Sequence, residues 1–276
     1  MTTSTRVNSN SEPIPLDQAW LQTACAESDL PWRVRVVAET GSTSDDLRSA
    51  ALAGEGPGAV LFAEAQTAGR GRRANRWLAP PGRDLMLSLL LRPEGPQACW
   101  PRLTTLAALA LCRAIEAVLP LRPLIKWPND LHLGGRKLAG LLAETAVAPG
   151  GAVLVLGIGL NVNTREFPAA LADTATSLTR ELSAPRPVEV DRHELAVSLL
   201  TELHRQLPRL DEGFVEALHE VRARSLLLGR QVRARQGQGE VVGRAVDLDE
   251  EGRLRLERAD GETVLLDSAE SVRQVY

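Results

Sequence analysis

Arginine and glycine are concentrated in the segment Gly69–Trp77, which reads Gly-Arg-Gly-Arg-Arg-Ala-Asn-Arg-Trp. Glycine lets backbone N–H groups come close to a ligand, and a guanidinium can hold a phosphate with two parallel hydrogen bonds. The segment therefore indicates an anion-binding loop for a nucleotide phosphate, although a solvated basic loop has the same composition. Its Gly-x-Gly-x-x-Ala spacing also matches a dinucleotide fingerprint. That fingerprint is excluded because Pro80 and Pro81 follow too soon for the helix that it must open.

The chain contains only two lysines, Lys126 and Lys137, whereas its other 30 basic side chains are arginines. Pro128 favours an extended conformation for the residue before it, so Lys126 is expected at a strand end and Asn129-Asp130 at the start of a turn. An ammonium, an amide and a carboxylate gathered there can hold a metal-bound phosphate. An ordinary turn with surface charges fits the same pattern equally well.

Lys137 is predicted to begin a strand and to share one face of it with Ala139, Leu141 and Ala143, because side chains alternate along a strand. Its ammonium is compact and has three donors, which suits an oxygen of phosphate or carboxylate. A lysine that extends from the edge of the core into solvent is the alternative.

The segment Val153–Asn163 is predicted to form a strand with two different faces. Its even positions from 154 to 162 are all aliphatic, whereas Gly157, Gly159, Asn161 and Asn163 occupy the odd positions. Glycine inside a strand often marks the close approach of a ligand or of another backbone. The odd face is therefore expected to bind a ligand, with tight packing of a helix on the sheet as the alternative.

Hydrophobic periodicity predicts the elements that carry these segments. Helices are expected over 17–28, from a cap at Ser44 to Gly54, and over 101–119, 190–209 and 211–224. Strands are expected over 33–37, 59–66, 85–91, 124–127, 137–146 and 153–162. After Ser225, short alternating segments over 231–235, 240–247, 253–257 and 263–267 are typical of a small β barrel. The predicted organisation is a disordered leader (1–15), a large domain (16–225) and a small domain (226–276).

Composition narrows the classes of protein. Hydrophobic residues make up 44% and charged residues 24% of the 276 residues, which is ordinary for a folded protein, and the net charge of −3 gives no general attraction to nucleic acid or to anionic membranes. The longest apolar runs are too short to span a membrane, and the polar N-terminus does not resemble a signal peptide, so a cytoplasmic location is expected. Three cysteines without a Cys-x-x-Cys pair argue against a disulfide framework or a zinc site.

Taken together and in this order, five blocks of sequence resemble the biotin protein ligases. The blocks are Gly41-Ser42-Thr43, Gln66 with Gly69–Arg73 and Trp77, Lys126–Leu131, Arg136–Gly140, and Gly157–Asn161. The resemblance covers about residues 38–165. It implies an α+β fold in which helices flank a mixed, largely antiparallel sheet of the class II synthetase and biotin–lipoate ligase type, followed by a C-terminal SH3-like β barrel. The chain departs from the usual pattern at Ser44 (usually Asn), Ala74 (commonly Gly) and His132 (usually aromatic or aliphatic).

The resemblance implies a two-step reaction with biotin and ATP as substrates and Mg²⁺ as cofactor. Biotin would be activated as biotinyl-5′-AMP and then transferred to one lysine of a biotin carboxyl carrier protein. Both reacting groups of the first step are anions, so the site must neutralise charge and fix geometry. Lys137, Arg72 and Asp130 would be the catalytic residues, and Asp130 would also hold the metal and orient the incoming amine.

The resemblance also implies which residues bind the two substrates. Biotin would be bound by Ser42, Thr43, Ser44, Gln66, Gly69, Arg70, Gly71, Arg72, Lys137, Gly157 and Gly159. ATP and the adenylate would be bound by Arg72, Arg73, Trp77, Lys126, Asn129, Lys137, Asn161 and Arg273. The loop of Arg70–Arg72 would fold over the adenylate and shield it from water.

Three other functions are weighed against this one. A lipoate ligase would share the fold and the adenylate chemistry, but the arginine-rich loop and the Lys126–Asp130 block favour biotin. A DNA-binding repressor is not expected, because one short helix before Gly41 cannot form a helix-turn-helix unit with its wing. Non-specific nucleic-acid binding would need interleaved aromatic residues that the loop lacks. The expected partner is therefore the carrier protein, without DNA or membrane, and the chain is expected to be a monomer or a weak homodimer.

Overall fold

The computed structural model describes residues 12–182, 188–210, 213–236 and 239–275, which form six helices and twelve strands. The helices are α1 (Gln18–Glu27), α2 (Thr43–Leu52), α3 (Arg102–Val118), α4 (Leu178–Glu181), α5 (Arg192–Gln206) and α6 (Phe214–Ala223). The strands of the first sheet are β1 (Arg33–Thr40), β2 (Ala59–Gln66), β3 (Leu85–Leu91), β4 (Leu124–Lys126), β5 (Asp130–Leu133), β6 (Arg136–Ala148) and β7 (Gly151–Leu160). Those of the second sheet are β8 (Gln231–Gln236), β9 (Gly239–Leu248), β10 (Leu254–Glu257), β11 (Thr263–Leu266) and β12 (Ser271–Gln274).

The first sheet has the strand order β1-β2-β3-β7-β6-β5-β4. Only β1 and β2 run parallel, and the other neighbouring strands are antiparallel, which confirms the expected mixed, largely antiparallel sheet. α3 is buried along most of its length and packs with α5, because its alternation of leucine and alanine offers an apolar surface on nearly every side. On the opposite face α2 packs against β2, β3 and β7, and the site forms beside it.

The second sheet is antiparallel throughout, with the order β11-β10-β9-β8-β12. The expected small C-terminal β domain is thereby confirmed, although the sequence did not predict β12. Its alternation is short, and the pairing with β8, a strand some forty residues earlier, is what makes it a strand. The division of the chain at 225/226 stays a prediction.

The N-terminal segment is anchored by a buried ion pair. Arg192 pairs with Glu64 at 2.7 Å, and its guanidinium also donates to the carbonyl oxygen of Ile14 at 2.6 Å. Of the predicted disordered leader, residues 1–11 lie outside the described residues. Arg192 also donates to the carbonyl of Asp84, whose carboxylate accepts from the backbone of Val162 and Thr164. The cluster thus holds the segment that follows β7.

The second sheet is fastened to the first at the predicted nucleotide block. The indole Nε1 of Trp127 donates to the carbonyl oxygen of Gly252 at 3.0 Å, and Trp127 is buried. Arg102 at the start of α3 forms an ion pair of 2.8 Å with Glu251. The turn between β9 and β10 therefore contacts the segment that carries Asn129.

The prediction that Ser44 caps a helix was wrong. Ser42 is the cap: its backbone is extended, and its hydroxyl accepts from the backbone N–H of Asp45, so that α2 begins at Thr43. Three consecutive hydroxyl residues are equally good caps by type, and tertiary contacts choose among them. Ser44 lies inside the first turn and is buried.

The predicted face of Lys137 was also wrong. The register of β5 against β6 shifts between Leu131 and His132, so that Lys137 and Ala139 face consecutive residues of β5, with Leu138 as the extra residue of a β-bulge. The bulge reverses the alternation, and Leu138 and Ala139 are both buried in the core. Lys137 consequently shares its face with Gly140. Strand β5 itself was not predicted, because only four residues separate the turn at Asn129 from the glycine turn that follows.

No helix in the described parts of the chain is long and apolar enough to cross a membrane. Cys25, Cys99 and Cys112 carry free thiols, and Cys25 and Cys112 are buried.

Candidate active site

A cavity of about 150 Å³ lies over the middle of the first sheet, between α2, the loop Gly69–Trp77 and the edge of the second sheet. Most of the predicted site residues meet here. Those that line it are Ser42, Thr43, Ser44, Gln66, Arg70, Gly71, Arg72, Trp77, Asn129, Asp130, Lys137, Gly157 and Gly159. They come from five separate parts of the chain, so that the sheet must fold before the site exists.

One end of the cavity is lined by hydroxyl groups and an amide. The amide oxygen of Gln66 accepts from the backbone N–H of Thr43 at 2.8 Å and from its hydroxyl at 3.3 Å. Beneath them the Ser88 hydroxyl lies 2.8 Å from that of Thr43 and 3.0 Å from that of Ser44. Because the amide oxygen of Gln66 is held by Thr43, its NH₂ group is left to meet a ligand.

Three glycines lie in the floor of the cavity, next to Leu142. Gly140 and Gly159 are paired across β6 and β7, and Gly157 is paired with Ser88 on the other side. A Cβ on Gly159 would lie 2.4 Å from the Trp77 indole, and one on Gly157 would lie 2.7 Å from the hydroxyl of Ser44. Close approach by protein side chains thus requires glycine at both positions, and binding of a ligand on this face stays a prediction. In the described structure the group that approaches Gly159 is the indole of Trp77.

The loop Gly69–Trp77 turns back on itself and is held at both ends. The backbone N–H of Trp77 donates to the carbonyl of Gly69, and that of Gly71 donates to the carbonyl of Asn75. A Cβ on Gly69 would lie 2.7 Å from the carbonyl oxygen of Trp77, so only glycine permits this return. Gly69 therefore shapes the loop and lies outside the lining of the cavity.

Each arginine of the loop has its own partner. Arg70 forms ion pairs of 2.6 Å with Asp45 and with Glu144, and these partners raise its pKa although burial opposes the shift. Arg72 donates to the amide oxygen of Asn129 at 3.0 Å, and burial followed by the charge of Arg73 lowers its pKa.

Arg73 connects the loop to the second sheet through an ion pair with Glu270. Its φ of 54° is in the left-handed region, which is unfavourable for a residue other than glycine. Arg73 itself does not line the cavity, whereas its partner Glu270 does.

The other end of the cavity is cationic. The ammonium of Lys137 pairs with Asp130 at 2.8 Å and lies 5.8 Å from the ring centre of Trp77. Both the ammonium and the guanidinium of Arg72 border the glycine floor, so two positive charges face the same small volume. This arrangement can neutralise two anionic groups that approach each other.

Three more predicted residues lie outside the cavity lining. Asn161 is buried and donates to the carbonyl of Thr176 at 2.9 Å, which fixes the end of β7. Lys126, on β4, is paired across the strands with Asp130 on β5. Burial first, and then the charges of Lys137 and Arg273, lower the pKa of Lys126. Arg273 on β12 is exposed, and its charge is one of those that lower the pKa of Lys126.

Sequence reasoning missed Ser88, Asp45, Glu144 and Glu270. Ser88 carries a signal in the sequence, since it is the only polar residue of a buried apolar strand. The three carboxylates carry none, because surface acids are common and only the folded chain brings them to the arginines.

His132 lies on the same strand as Asp130 and is buried, with Nδ1 3.2 Å from the carbonyl of Gly135. Burial, followed by the charge of Lys126, lowers the pKa of His132 to about 4. The unfolded chain therefore binds a proton between about pH 6.5 and pH 4 that the folded chain does not, so the stability that neutral His132 contributes is lost as the pH falls through this range.

We expect His132→Phe to remove part of the acid sensitivity of the fold. Between pH 7 and pH 4.5 the free energy of unfolding of the wild type should fall by about 2 kcal/mol more than that of the variant. Urea unfolding at both pH values measures this difference. His219→Gln, which replaces an exposed histidine, is the control and should behave like the wild type. Equal acid sensitivity of His132→Phe and the wild type would contradict the prediction.

The donors around Asp130 fit a magnesium ion only in part. Within the described ranges no three His, Cys, Asp or Glu side chains are grouped so that they could hold a metal. Mg²⁺ is commonly bound by one or two carboxylates together with substrate phosphates and water. Asp130 with the neighbouring amide of Asn129 could supply the protein's share of such a set.

A second and larger cavity of about 570 Å³ adjoins the first and shares Arg72, Asn129 and Leu142 with it. Its other wall consists of Glu251–Arg253 and Asp267-Ser268 from the second sheet. The site is therefore open toward the groove between the two sheets.

Known proteins share this architecture. A model of the Biotin/lipoate A/B protein ligase family matches residues 38–163, and a model of the Biotin protein ligase C terminal domain matches residues 227–270. The chain is 37% identical to the biotin--[acetyl-CoA-carboxylase] ligase of Mycobacterium tuberculosis over 94% of this chain and 96% of that protein. It is 35% identical to the bifunctional ligase/repressor BirA of Bacillus spizizenii over 74% of this chain and 63% of that protein.

Among solved structures, the biotin protein ligase from Aquifex aeolicus in complex with biotin and ATP matches with a TM-score of 0.78. It is 29% identical, and the match covers 88% of this chain and 99% of that one. The fold, the cavity and the sequence relationships over nearly the full length agree with one another. The chain therefore belongs to the biotin protein ligase family.

Proposed function

We propose that the chain is an ATP-dependent ligase that converts biotin to biotinyl-5′-AMP and transfers it to one lysine of a biotin carboxyl carrier protein. The observation that carries the proposal is a single cavity with hydroxyl and amide groups at one end, a floor of glycines, and Lys137 with Arg72 at the other end. Biotin has a neutral polar ureido ring, a narrow middle and an anionic carboxylate, and these fit the three parts of the cavity in that order.

The hydroxyl end suits the ureido ring of biotin. Thr43 and Ser44 offer oxygen atoms that accept hydrogen bonds, and the NH₂ group of Gln66 is free to donate. The glycines beneath leave room for the fused rings and the chain that leads to the carboxylate. The solved relative from Aquifex aeolicus that binds biotin and ATP supports this assignment.

In the first step a carboxylate oxygen of biotin attacks the α-phosphorus of ATP, and the bond from that phosphorus to the bridging oxygen breaks as pyrophosphate leaves. Lys137 and Arg72 lower the repulsion between the two anions and hold them in line. Lys137 must exchange its ion pair with Asp130 for the substrate oxygens. Mg²⁺ would shield the phosphates when bound, with Asp130 and Asn129 as its protein contacts.

In the second step the neutral amine of a lysine attacks the acyl carbon of biotinyl-5′-AMP, and the bond between acyl carbon and phosphate oxygen breaks as AMP leaves. Asp130, once released by Lys137, can accept the proton of the amine. The groove that adjoins the cavity offers the acceptor lysine a route to the acyl group. The loop Gly69–Trp77 meanwhile keeps water from the mixed anhydride.

The relative from Mycobacterium tuberculosis, a biotin--[acetyl-CoA-carboxylase] ligase, supports a carrier domain of a biotin-dependent carboxylase as the acceptor. We further propose that the chain acts in the cytoplasm, as a monomer or a weak homodimer, without binding DNA.

We expect a mixture of the purified chain, biotin, MgATP and a biotin carrier domain to give a carrier whose mass has risen by one biotin. The measurement is intact-protein mass spectrometry, with a carrier whose acceptor lysine is replaced by arginine as the control. A gain with lipoate and none with biotin would contradict biotin as the substrate. Absence of either product with a competent carrier would reject the proposed function.

A further inference from the structure

A serine lies where a hydrophobic residue would be expected. Ser88 is the one polar residue of β3, whose other six residues are aliphatic or methionine, and it is 0% exposed. Its hydroxyl contacts the hydroxyls of Thr43 at 2.8 Å and Ser44 at 3.0 Å, both on the first turn of α2. Gly157, its partner on β7, provides the space for this cluster, since a Cβ there would lie 2.7 Å from the hydroxyl of Ser44.

The hydrogen bonds of the cluster form a chain that ends at the amide oxygen of Gln66, and this end determines which hydroxyl donates in each bond. A carbonyl oxygen only accepts, so the single hydroxyl proton of Thr43 is used in its bond to the amide oxygen of Gln66. Thr43 must then accept from Ser88. With its own proton used in this way, Ser88 must in turn accept from Ser44.

This order of donation determines what the cavity offers to a ligand. Thr43 keeps one oxygen lone pair, Ser44 keeps two, and the amide of Gln66 keeps its NH₂ donors. A cyclic urea has two N–H donors and one carbonyl acceptor, so it is the complement of this set. Without Ser88, the proton of Ser44 would be free to rotate into the cavity and oppose an N–H group of the ligand.

We propose that Ser88 is a positioning residue for the ureido ring. It does not contact the ring, but it orients the hydroxyls of Thr43 and Ser44 that do. This inference rests on the proposed biotin substrate. Ser88 keeps both hydroxyls oriented as acceptors, and so contributes to biotin affinity and not to the chemical steps.

The test measures biotin binding by calorimetry and steady-state rates by pyrophosphate exchange, with the full-length chain. Ser88→Ala should weaken binding of biotin about five- to tenfold, which is the effect of one buried hydrogen bond. The KM for biotin should rise by the same factor, with kcat and the KM for ATP unchanged. Desthiobiotin keeps the urea and lacks the sulfur, so Ser88→Ala should weaken its binding by the same factor.

Ser198→Ala is the matched control, because its hydroxyl on α5 bonds to the backbone of Ala114 far from the cavity. It should bind biotin like the wild type. Ser88→Cys keeps the volume and a weak donor, so it should fold if the alanine variant does not and show a smaller loss of affinity.

A double-mutant cycle with Thr43→Val separates positioning from general destabilisation. If Ser88 acts through Thr43 and Ser44, Ser88→Ala should weaken binding less in the Thr43→Val background, where only the Ser44 route remains, than in the wild type. Equal losses in both backgrounds, a fall in kcat, or wild-type affinity in folded Ser88→Ala would overturn the inference. Failure of the wild type to bind biotin would instead refute the proposed function.

Discussion

Lys137→Ala is expected to lower the rate of biotin-dependent pyrophosphate exchange by about two to three orders of magnitude, the usual effect of removing one group that stabilises transition-state charge. The ammonium of Lys137 is 2.8 Å from Asp130 and borders the glycine floor where carboxylate and phosphate have to meet. Its loss removes one of the two cations that border the glycine floor, and Arg72 is the other. The fold should be kept, because the side chain of Lys137 is 38% exposed.

Two further variants sharpen this experiment. Lys137→Arg should restore little activity, because a planar guanidinium is wider than the ammonium and must fit between Asp130 and the ring of Trp77. Arg136→Ala is the control: it removes the neighbouring cation, which pairs with Glu181 away from the cavity, and should leave the exchange rate near that of the wild type. Nearly normal exchange in folded Lys137→Ala would refute the assigned role.

Gly159→Ala is expected to weaken biotin binding by about tenfold or more. A Cβ at this position would lie 2.4 Å from the indole of Trp77, so the ring has to move and the closed loop with it. Inserting a group into a packed position costs about 1–3 kcal/mol. Titration calorimetry with biotin measures the loss, and urea unfolding shows how much of it is general destabilisation.

Gly56→Ala is the matched control for this substitution. It adds the same methyl group to a loop position away from the cavity, where the nearest atom, on the Arg33 side chain, is 3.9 Å away. Biotin affinity should then be unchanged. If Gly159→Ala bound biotin as tightly as Gly56→Ala, the glycine floor would not be part of the binding site.

Much of the fold could be predicted because the strongest patterns are local. The aliphatic face of β7, the leucine- and alanine-rich α3 and the short alternating strands of the second sheet follow from hydrophobic periodicity, and the structure confirms all three. The sequence did not predict β5 and β12, because neither has a strong local pattern. Each is a short segment that forms a strand because it pairs with a neighbouring strand, β6 for β5 and β8 for β12.

The site was predicted as a set of residue types, and the errors concern how those residues are arranged. Ser42, and not Ser44, caps α2, because adjacent hydroxyl residues differ in their surroundings and not in their local propensity. The bulge at Leu138 moves Lys137 to the face of Gly140, because strand register is set by the partner strand. Neither the position of the cap nor that of the bulge can be read from the local sequence.

The two lysines show the same division between residue type and placement. An otherwise arginine-rich chain that keeps lysine only at positions 126 and 137 already points to a compact cation in that segment. Which lysine reaches the cavity is decided by tertiary structure: the bulge turns Lys137 toward the glycine floor, while Lys126 is half-buried, pairs with Asp130 across the strands and does not line the cavity. Chemistry depends on residue type, which is encoded locally, whereas burial and ion pairing depend on neighbours that only the folded chain brings together.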